Sequence, residues 1–222
     1  MSWCLNLNKI TPNIFLLELP GPSSNAYVLV DGREAAIVDP GLCKQKELEA
    51  ELDEAGVALE SISRVFLTHA HADHSSNARF FPHAQLLCSQ ETLNCLLQKS
   101  PTAMFLEFCV PFFSFKGTAL ADGAAVHLGG FKLRCVNTPG HTQDAACFFE
   151  EETKTLFSGD SLFTQGSVPR VFYPEGGTEL LQSWQKLEKL GAALVAPGHG
   201  PVSKHVAREL EESRQGIAQG FL

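Results

Sequence analysis

The apolar positions of the chain follow strand and helix periods in a repeating order. Short apolar or alternating runs, bounded by turn residues such as Pro20-Gly21-Pro22 and Asp31-Gly32, predict strands at 14–18, 25–30, 35–38 and 62–67. Alanine, leucine and charged residues at helical spacing predict helices at 45–55, 73–81 and 90–98. The first half of the chain therefore contains a group of strands and its helices.

The same order returns in the second half. Strands are predicted at 125–128, 131–137, 145–150, 155–158 and 193–196, and helices at 179–190 and 204–219. Two such groups favour two mixed β-sheets packed face to face with helices outside, an αββα sandwich of the α/β (α+β) class. No low-complexity linker divides the halves, so residues 1–222 are expected to form a single domain.

The segment 101–115 is the hardest to assign because it contains five phenylalanines, at positions 105, 108, 112, 113 and 115. It has three interpretations: an apolar substrate wall over a cleft, core packing, or the contact of a homodimer. Aromatic residues at such spacing are more often buried than functional.

Composition and charge narrow the class of protein. Hydrophobic residues make up 44% and charged residues 19%, which indicates a globular protein with a sizeable core. The 17 basic and 25 acidic residues give a net charge of −8, and no basic cluster follows a predicted helix. Nucleic-acid binding is therefore not expected, and a small-molecule substrate is favoured.

Location is predicted from the cysteines and from the lack of targeting segments. No stretch is long and apolar enough for a membrane span, and the first residues do not have the pattern of a secretory signal. The seven cysteines have irregular spacing without a C-x-x-C pair. Four of them lie in apolar runs and are expected to be core residues: Cys88, Cys109, Cys135 and Cys147. A reducing, cytoplasmic location follows.

The run THAHADH at 68–74 has the strongest chemical signal in the chain. It places four potential metal ligands within six residues: His69, His71, Asp73 and His74. Imidazole and carboxylate are the ligands of zinc and its first-row neighbours. Two histidines that are two residues apart at the end of a strand point to the same side of it. A helix that starts near Asp73 would present the side chains of Asp73 and His74 from another angle. The run predicts ligands for two ions.

Three further candidates each follow a predicted strand and a glycine: His141, Asp160 and His199. They occur in the runs TPGH at 138–141, FSGD at 157–160 and PGHG at 197–200. Glycine allows the backbone to turn sharply and approach closely, and loops after strands are common positions for functional sites. The three histidines His83, His127 and His205 lie outside these motifs and are expected to be structural or surface residues.

With these motifs, the chain resembles the metallo-β-lactamase superfamily, in particular glyoxalase II-like hydrolases. The four motifs span about 130 residues, in the family's order, and Ile37-Val38-Asp39-Pro40-Gly41 also matches. The resemblance implies the αββα fold and two divalent metal ions, of which Zn²⁺ is favoured and Fe or Mn are alternatives. It implies a first ion held by His69, His71 and His141, and a second held by Asp73, His74 and His199, with Asp160 bridging the two.

The resemblance also implies roles around the ions. Asp39 resembles a residue that orients a metal ligand. Two ions lower the pKa of bound water from about 16 toward 7, which gives a bridging hydroxide as nucleophile. Asp73 is the catalytic candidate because its carboxylate can orient the water as well as bind metal. Ser158 and Ser161 lack the setting of a nucleophilic serine.

Departures from the family's pattern narrow the range of expected substrates. One branch of the β-lactamases uses a cysteine near the bridging position, where this chain has Asp160, which argues against β-lactam hydrolysis. Only 23 residues follow His199, so the helical domain that supplies glutathione contacts in glyoxalase II is expected to be absent. The segment 165–170 differs from the usual glycine-rich stretch, and Arg170 and Tyr173 are candidates for substrate binding.

Four hypotheses of function follow, in order. The first is a dinuclear zinc hydrolase acting on a small thioester, ester or lactone. The second is a mononuclear iron oxygenase resembling persulfide dioxygenases, although their G-R-T-D-F stretch is missing here. The third is a metal-dependent ribonuclease, which the acidic balance disfavours. The fourth is a non-catalytic metal-binding module, although such zinc sites are usually cysteine-rich.

Overall fold

A computed structural model describes residues 9–32 and 34–219, and its strands form two mixed β-sheets. The expectation about a secretory signal concerns residues outside this part of the chain. The first sheet has seven strands in sequence order: β1 (Lys9–Thr11), β2 (Ile14–Leu17), β3 (Ala26–Asp31), β4 (Glu34–Val38), β5 (Ile62–Leu67), β6 (Gln85–Ser89) and β7 (Gly117–Leu120). Strands β1 to β4 pair antiparallel, whereas β4 to β7 are parallel.

The second sheet has five strands in the order β12-β11-β10-β9-β8. Their bounds are β8 (Ala125–Leu128), β9 (Phe131–Asn137), β10 (Ala146–Glu150), β11 (Thr155–Gly159) and β12 (Leu194–Pro197). Strands β11 and β12 are parallel, and the other pairs are antiparallel. The sequence analysis predicted all five strands of this sheet within about two residues.

Five α-helices are present in the described part of the chain: α1 (Gln45–Glu54), α2 (Ala72–Ser75), α3 (Gln90–Leu97), α4 (Gly176–Glu188) and α5 (Val206–Ala218). Helices α1 and α3 cover the outer face of the first sheet through buried leucines such as Leu48 and Leu93. Helices α4 and α5 cover the second sheet, where Trp184 and Leu210 are buried. None of the helices in residues 9–32 and 34–219 combines the length and apolarity of a membrane span.

The alternation of side chains along β3 shows how the sheets pack. Tyr27 and Leu29 lie in the core between the two sheets, together with Phe148 and Phe157 of the second sheet. Val28 points to the other face and joins the core beneath α1 and α3. The predicted αββα sandwich is confirmed, and the single domain stays a prediction.

The helix predicted at 73–81 is present, but only its first turn is α-helical. Helix α2 ends at Ser75, and a 3₁₀ helix continues from Ser76 to Phe80. Short polar side chains bind the backbone here instead of supporting an α-helix: Ser75 Oγ donates to the carbonyl of Ala70, and Asn77 Nδ2 donates to that of Pro40. The residues of this turn are therefore fixed against the loop after β4.

The phenylalanine-rich segment 101–115 packs against the outer core of the first sheet. Phe105 and Phe115 are buried, and the ring of Phe105 stacks on that of Phe112 with centroids 4.3 Å apart. The prediction that Cys109 is a core residue is wrong, because it is exposed in a turn with φ of 55°. Cys88, Cys135 and Cys147 are buried as predicted.

Candidate metal centre

The histidine-rich motif leaves the first sheet at the end of β5. Phe66 and Leu67 fix this strand end because they are buried in the cores on opposite faces of the sheet. His71 precedes α2 with ψ of 141°, and the single helical turn that follows carries Asp73 and His74. The motif thus presents side chains from a strand end and from a helix start, as the sequence analysis predicted.

The second sheet holds the backbone of this motif in place. The amide of Ala146, at the start of β10, donates to the carbonyl of Thr68 at 2.8 Å. The buried carboxylate of Asp144 accepts the amide of Ala70, also at 2.8 Å. The sequence analysis missed Asp144, because no local pattern distinguishes it from an ordinary turn aspartate.

The other three candidates lie in loops that follow strands of the second sheet: His141 after β9, Asp160 after β11 and His199 after β12. Glycine is required before all three because the backbone approaches its neighbours closely, and a Cβ on Gly140 would lie 2.6 Å from that of Leu180. Gly159 has φ of 48°, and a Cβ there would lie 2.4 Å from Thr68 Oγ1. A Cβ on Gly198 would lie 2.3 Å from Asp160 Oδ1.

The loop that carries His199 is fastened to the first sheet. Asn25, just before β3, donates its backbone amide to the carbonyl of Gly198 at 2.7 Å. Its side-chain amide and the hydroxyl of Tyr27 both donate to the carbonyl of Pro197, at 3.0 and 2.7 Å. Burial raises the pKa of the Tyr27 phenol far above its usual range, so the hydroxyl remains a donor.

The structure brings the seven predicted side chains into one cluster. Ligand atoms lie within 4.8 Å of one another in three groups: His69, His71 and His141; His69, His74 and Asp160; Asp73, His74 and His199. Asp160 Oδ1 lies 3.3 Å from His74 Nε2, and Oδ2 lies 3.4 Å from His141 Nε2. Asp160 therefore faces ligands of both predicted ions. The three histidines outside the motifs are exposed: His83, His127 and His205.

The cluster has buried polar atoms that lack hydrogen-bond partners, as a metal centre requires. Four such atoms belong to it: His69 Nε2, His74 Nε2, Asp73 Oδ1 and Asp160 Oδ1. His74 and Asp160 are close, but they are not aligned for a hydrogen bond. Leaving such groups buried without partners is unfavourable, and divalent ions together with the water that they bind would satisfy all four. The residues present fit a metal centre.

Asp39 holds two parts of the motif at once. Its Oδ1 accepts the amide of Thr68 at 2.8 Å, and its Oδ2 accepts the Thr68 hydroxyl at 2.6 Å. The same Oδ2 lies 2.9 Å from His74 Nδ1, so the Nδ1–H tautomer donates to it and leaves Nε2 facing the cluster. Asp39 thus has the contacts of a residue that orients a ligand.

The electrostatics of the cluster favour the protonation states that metal ligands need at His69, His71 and Asp160, but not at His74. Burial lowers the pKa of His69 well below its usual value and lowers that of His71 to about 3. The pKa of Asp160 is held far below its usual range, because three facing imidazoles outweigh the effect of burial. Burial lowers the pKa of His74, but the carboxylates of Asp160 and Asp73 outweigh it and raise this pKa. At this last ligand a metal ion would compete with a proton.

The loop before α4 completes the surroundings of His141. His141 Nδ1 lies 2.6 Å from the carbonyl of Arg170, which orients the ring with Nε2 towards the cluster. The ring of Phe172, which the sequence analysis missed, lies 5.2 Å from those of His71 and His141. The Arg170 side chain is exposed and lies over Phe172, and the Tyr173 hydroxyl donates to Glu179. Their predicted roles in substrate binding stay predictions.

Replacing Gly198 by alanine is expected to damage the centre from outside the ligand set. The added Cβ would lie 2.3 Å from Asp160 Oδ1 and 2.6 Å from His74 Cε1, so both ligands must shift. We expect metal affinity to fall by about tenfold or more, measured by competition with a chromophoric chelator. Gly130→Ala is the control, because its Cβ would meet only Asp31 Oδ2 at an ordinary 3.7 Å. Equal metal affinity of the two variants would contradict the close approach.

The sequence profile of the metallo-β-lactamase superfamily matches residues 19–85 and 100–199. These two ranges make up more than half of the chain and contain Asp39 and all seven clustered side chains. The chain therefore belongs to the metallo-β-lactamase superfamily. The family and the His/Asp groups together fit a metal-dependent hydrolase.

Individual relatives agree with this assignment. An atrochrysone carboxyl ACP thioesterase of Aspergillus fumigatus is 27% identical over 88% of this chain, which spans only 56% of that relative. A metallo-β-lactamase family protein of Thermus thermophilus has a TM-score of 0.80 and 26% identity. The match covers 95% of this chain and 81% of the Thermus protein. TTHA1623, solved in a di-iron-bound form, has a TM-score of 0.72 and 27% identity. The match covers 92% of this chain and 98% of TTHA1623.

Proposed function

We propose that the chain is a dinuclear zinc hydrolase that cleaves a small thioester, ester or lactone. The observation that carries the proposal is the position of Asp160 between two sets of ligands. In the proposed arrangement one ion is held by His69, His71 and His141, the other by Asp73, His74 and His199, and both by Asp160. Imidazole and carboxylate oxygen suit zinc, and iron or manganese fit the same donors.

In the proposed reaction a water molecule would be activated at the metal ions and oriented by Asp73. When bound, two adjacent divalent ions lower the pKa of a shared water from about 16 toward 7 and so supply hydroxide at neutral pH. Asp73 Oδ2 lies 3.1 Å from His199 Nε2, whereas Oδ1 has no hydrogen-bond partner. That oxygen can accept a hydrogen bond from the attacking water or hydroxide and orient it towards a carbonyl carbon.

The neighbouring serines support a mechanism without a side-chain nucleophile. Ser158 is fully buried and donates its hydroxyl to the carbonyl of Leu162 at 2.7 Å. Ser161 is also buried, and its hydroxyl is paired with that of Thr138 at 2.8 Å. Neither hydroxyl is presented to a substrate.

Two observations bear on the substrate and the location of the protein. A relative named as a thioesterase supports a thioester among the candidate substrates, although the chain spans little more than half of that relative. The six cysteines in the described part of the chain are free thiols, which supports the proposed cytoplasmic location.

Metal analysis combined with a substrate panel tests the proposal. We expect purified protein to contain about two zinc ions per chain and to hydrolyse members of a panel of thioesters, esters and lactones. Treatment with a chelator should abolish turnover, and added Zn²⁺ should restore it. Phosphodiesters serve as the comparison class.

Other outcomes would contradict the proposal in defined ways. One iron per chain with oxygen consumption on a persulfide would indicate the mononuclear oxygenase instead. Salt-sensitive binding and cleavage of RNA would indicate the ribonuclease. Stoichiometric metal without turnover of any panel member would leave only a metal-binding module.

A further inference from the structure

A cavity of about 680 Å³ opens beside the candidate metal centre. Its walls come from α3, from the turn at 98–107, from the loop after His141 and from the loop before α4. Thr142 follows His141 in the chain, and Phe172 lies 5.2 Å from the rings of His71 and His141. The cavity therefore adjoins the cluster, with Phe172 at the boundary, and a substrate bound at the cluster would reach the cavity past this ring.

The charges around the cavity have one sign. Three carboxylates line it, those of Glu91, Glu107 and Asp144, and no Lys, Arg or His is present among the described residues of its wall. Arg170 is close in sequence to Phe172 and Tyr173, which line the cavity, but Arg170 itself does not. Its guanidinium lies over the ring of Phe172, 4.9 Å from the centroid. Nothing in this wall compensates a negative charge on a ligand.

The uncharged part of the wall suits an apolar group. Phe172, Met104 and Pro101 contribute apolar surface, and Phe172 is 41% exposed, so part of its ring is free to contact a ligand. Cys95 adds a half-buried thiol whose pKa is raised by burial, so it stays neutral. A cavity of this volume, with an apolar patch among polar side chains, is typical of small-molecule sites.

We propose that this cavity holds the acyl group of the substrate and selects acyl groups that are apolar and uncharged. The proposal rests on the hydrolase function proposed above and specifies its substrate class: esters or thioesters of monocarboxylic acids. A second carboxylate on the acyl chain would lose its hydration and face three carboxylates of the same sign, so such substrates are rejected.

A matched pair of esters tests the selection. Phenyl hexanoate and monophenyl adipate have acyl chains of equal length and differ in one terminal carboxylate. We expect the metal-loaded protein to prefer phenyl hexanoate by about tenfold or more in kcat/KM. Equal rates, or a preference for the adipate ester, would overturn the proposal.

Charge variants show whether the cavity wall causes the preference. The double variant Glu91→Lys/Glu107→Lys is expected to reduce the preference by about fivefold or more, and Glu91→Gln/Glu107→Gln by less. Glu60→Lys/Glu152→Lys is the control for net charge, because both residues are exposed and do not line the cavity. If the control changes the preference as much as the Glu91/Glu107 variant does, the cavity is not the cause and the proposal fails.

Binding of the corresponding amides separates this inference from the proposed function. The hydrolase proposal fails only if no member of the substrate panel is hydrolysed, and calorimetry with hexanoic anilide and adipic monoanilide tests the cavity whether or not turnover occurs. We expect the uncharged anilide to bind about tenfold more tightly than the carboxylate-bearing one. Equal affinities, or no binding of either anilide, would overturn the proposal.

Discussion

Replacing Asp160 by alanine is expected to lower kcat/KM for hydrolysis by about a thousandfold or more, which corresponds to roughly 4 kcal/mol of transition-state stabilisation. The reason is that Asp160 faces both sets of ligands, with Oδ1 3.3 Å from His74 Nε2 and Oδ2 3.4 Å from His141 Nε2. Without it the second ion is expected to be lost from purified protein. Steady-state kinetics and metal quantification on the same preparation measure both effects.

Two further variants make this result interpretable. Asp160→Asn keeps the size of the side chain but removes its charge, so it should lose activity to a similar extent without creating a void. Asp53→Ala is the control, because Asp53 is an exposed aspartate on α1. Circular dichroism should show native secondary structure for all three proteins. Full turnover in Asp160→Ala would refute a bridging role.

Replacing Asp39 by alanine is expected to weaken both metal binding and the fold. The change removes the acceptor of the Thr68 amide, the Thr68 hydroxyl and His74 Nδ1–H, all of which are buried. We expect metal affinity to fall by about 10- to 100-fold, because His74 loses the partner that orients its ring. We expect the metal-free protein to lose about 3 kcal/mol of unfolding free energy in urea denaturation, because buried donors are left unpaired.

Asp39 also has a left-handed backbone with φ of 49°, which aspartate and asparagine tolerate better than alanine does. Asp39→Asn therefore separates the two contributions: it keeps the backbone preference but presents a donor where an acceptor is needed. The control Asp31→Ala removes an aspartate at the far end of β3 that accepts only the Gly130 amide in the described structure. If Asp39→Ala and Asp31→Ala had the same metal affinity, Asp39 would not orient a ligand.

The seven clustered side chains could be predicted from the sequence because each lies in a short motif after an apolar strand. THAHADH follows β5, and His141, Asp160 and His199 each follow a strand and a glycine. Strand ends and glycine turns are local features, so their pattern is visible without knowledge of the fold. The order of strands and helices likewise predicted the two-sheet architecture.

What the sequence did not predict depends on contacts between distant residues. Asp144 accepts the Ala70 amide across 74 positions, and Asn25 reaches Pro197 across 172. Phe172 lies against His141 only because the loop before α4 folds back over the centre. No local period marks such contacts, because they arise when separate elements pack.

Short elements were missed for a different reason. Strand β1 has only three residues, and neither β1 nor β7 has a fully buried residue, so neither shows the apolar pattern of a core strand. Both pair at the edges of the first sheet, so tertiary context rather than sequence period defines them. Cys109 was assigned to the core from its apolar neighbours, but it occupies a left-handed turn that exposes it.

The ligands come from the ends of strands in both sheets, with β5 on one side and β9, β11 and β12 on the other. Each of the two proposed ions would therefore cross-link the two layers of the sandwich. By linkage, occupancy at a thousandfold excess over Kd would add about 4 kcal/mol to the free energy of unfolding. Depletion of the metal in a cell would then loosen the junction between the layers as well as stop the chemistry.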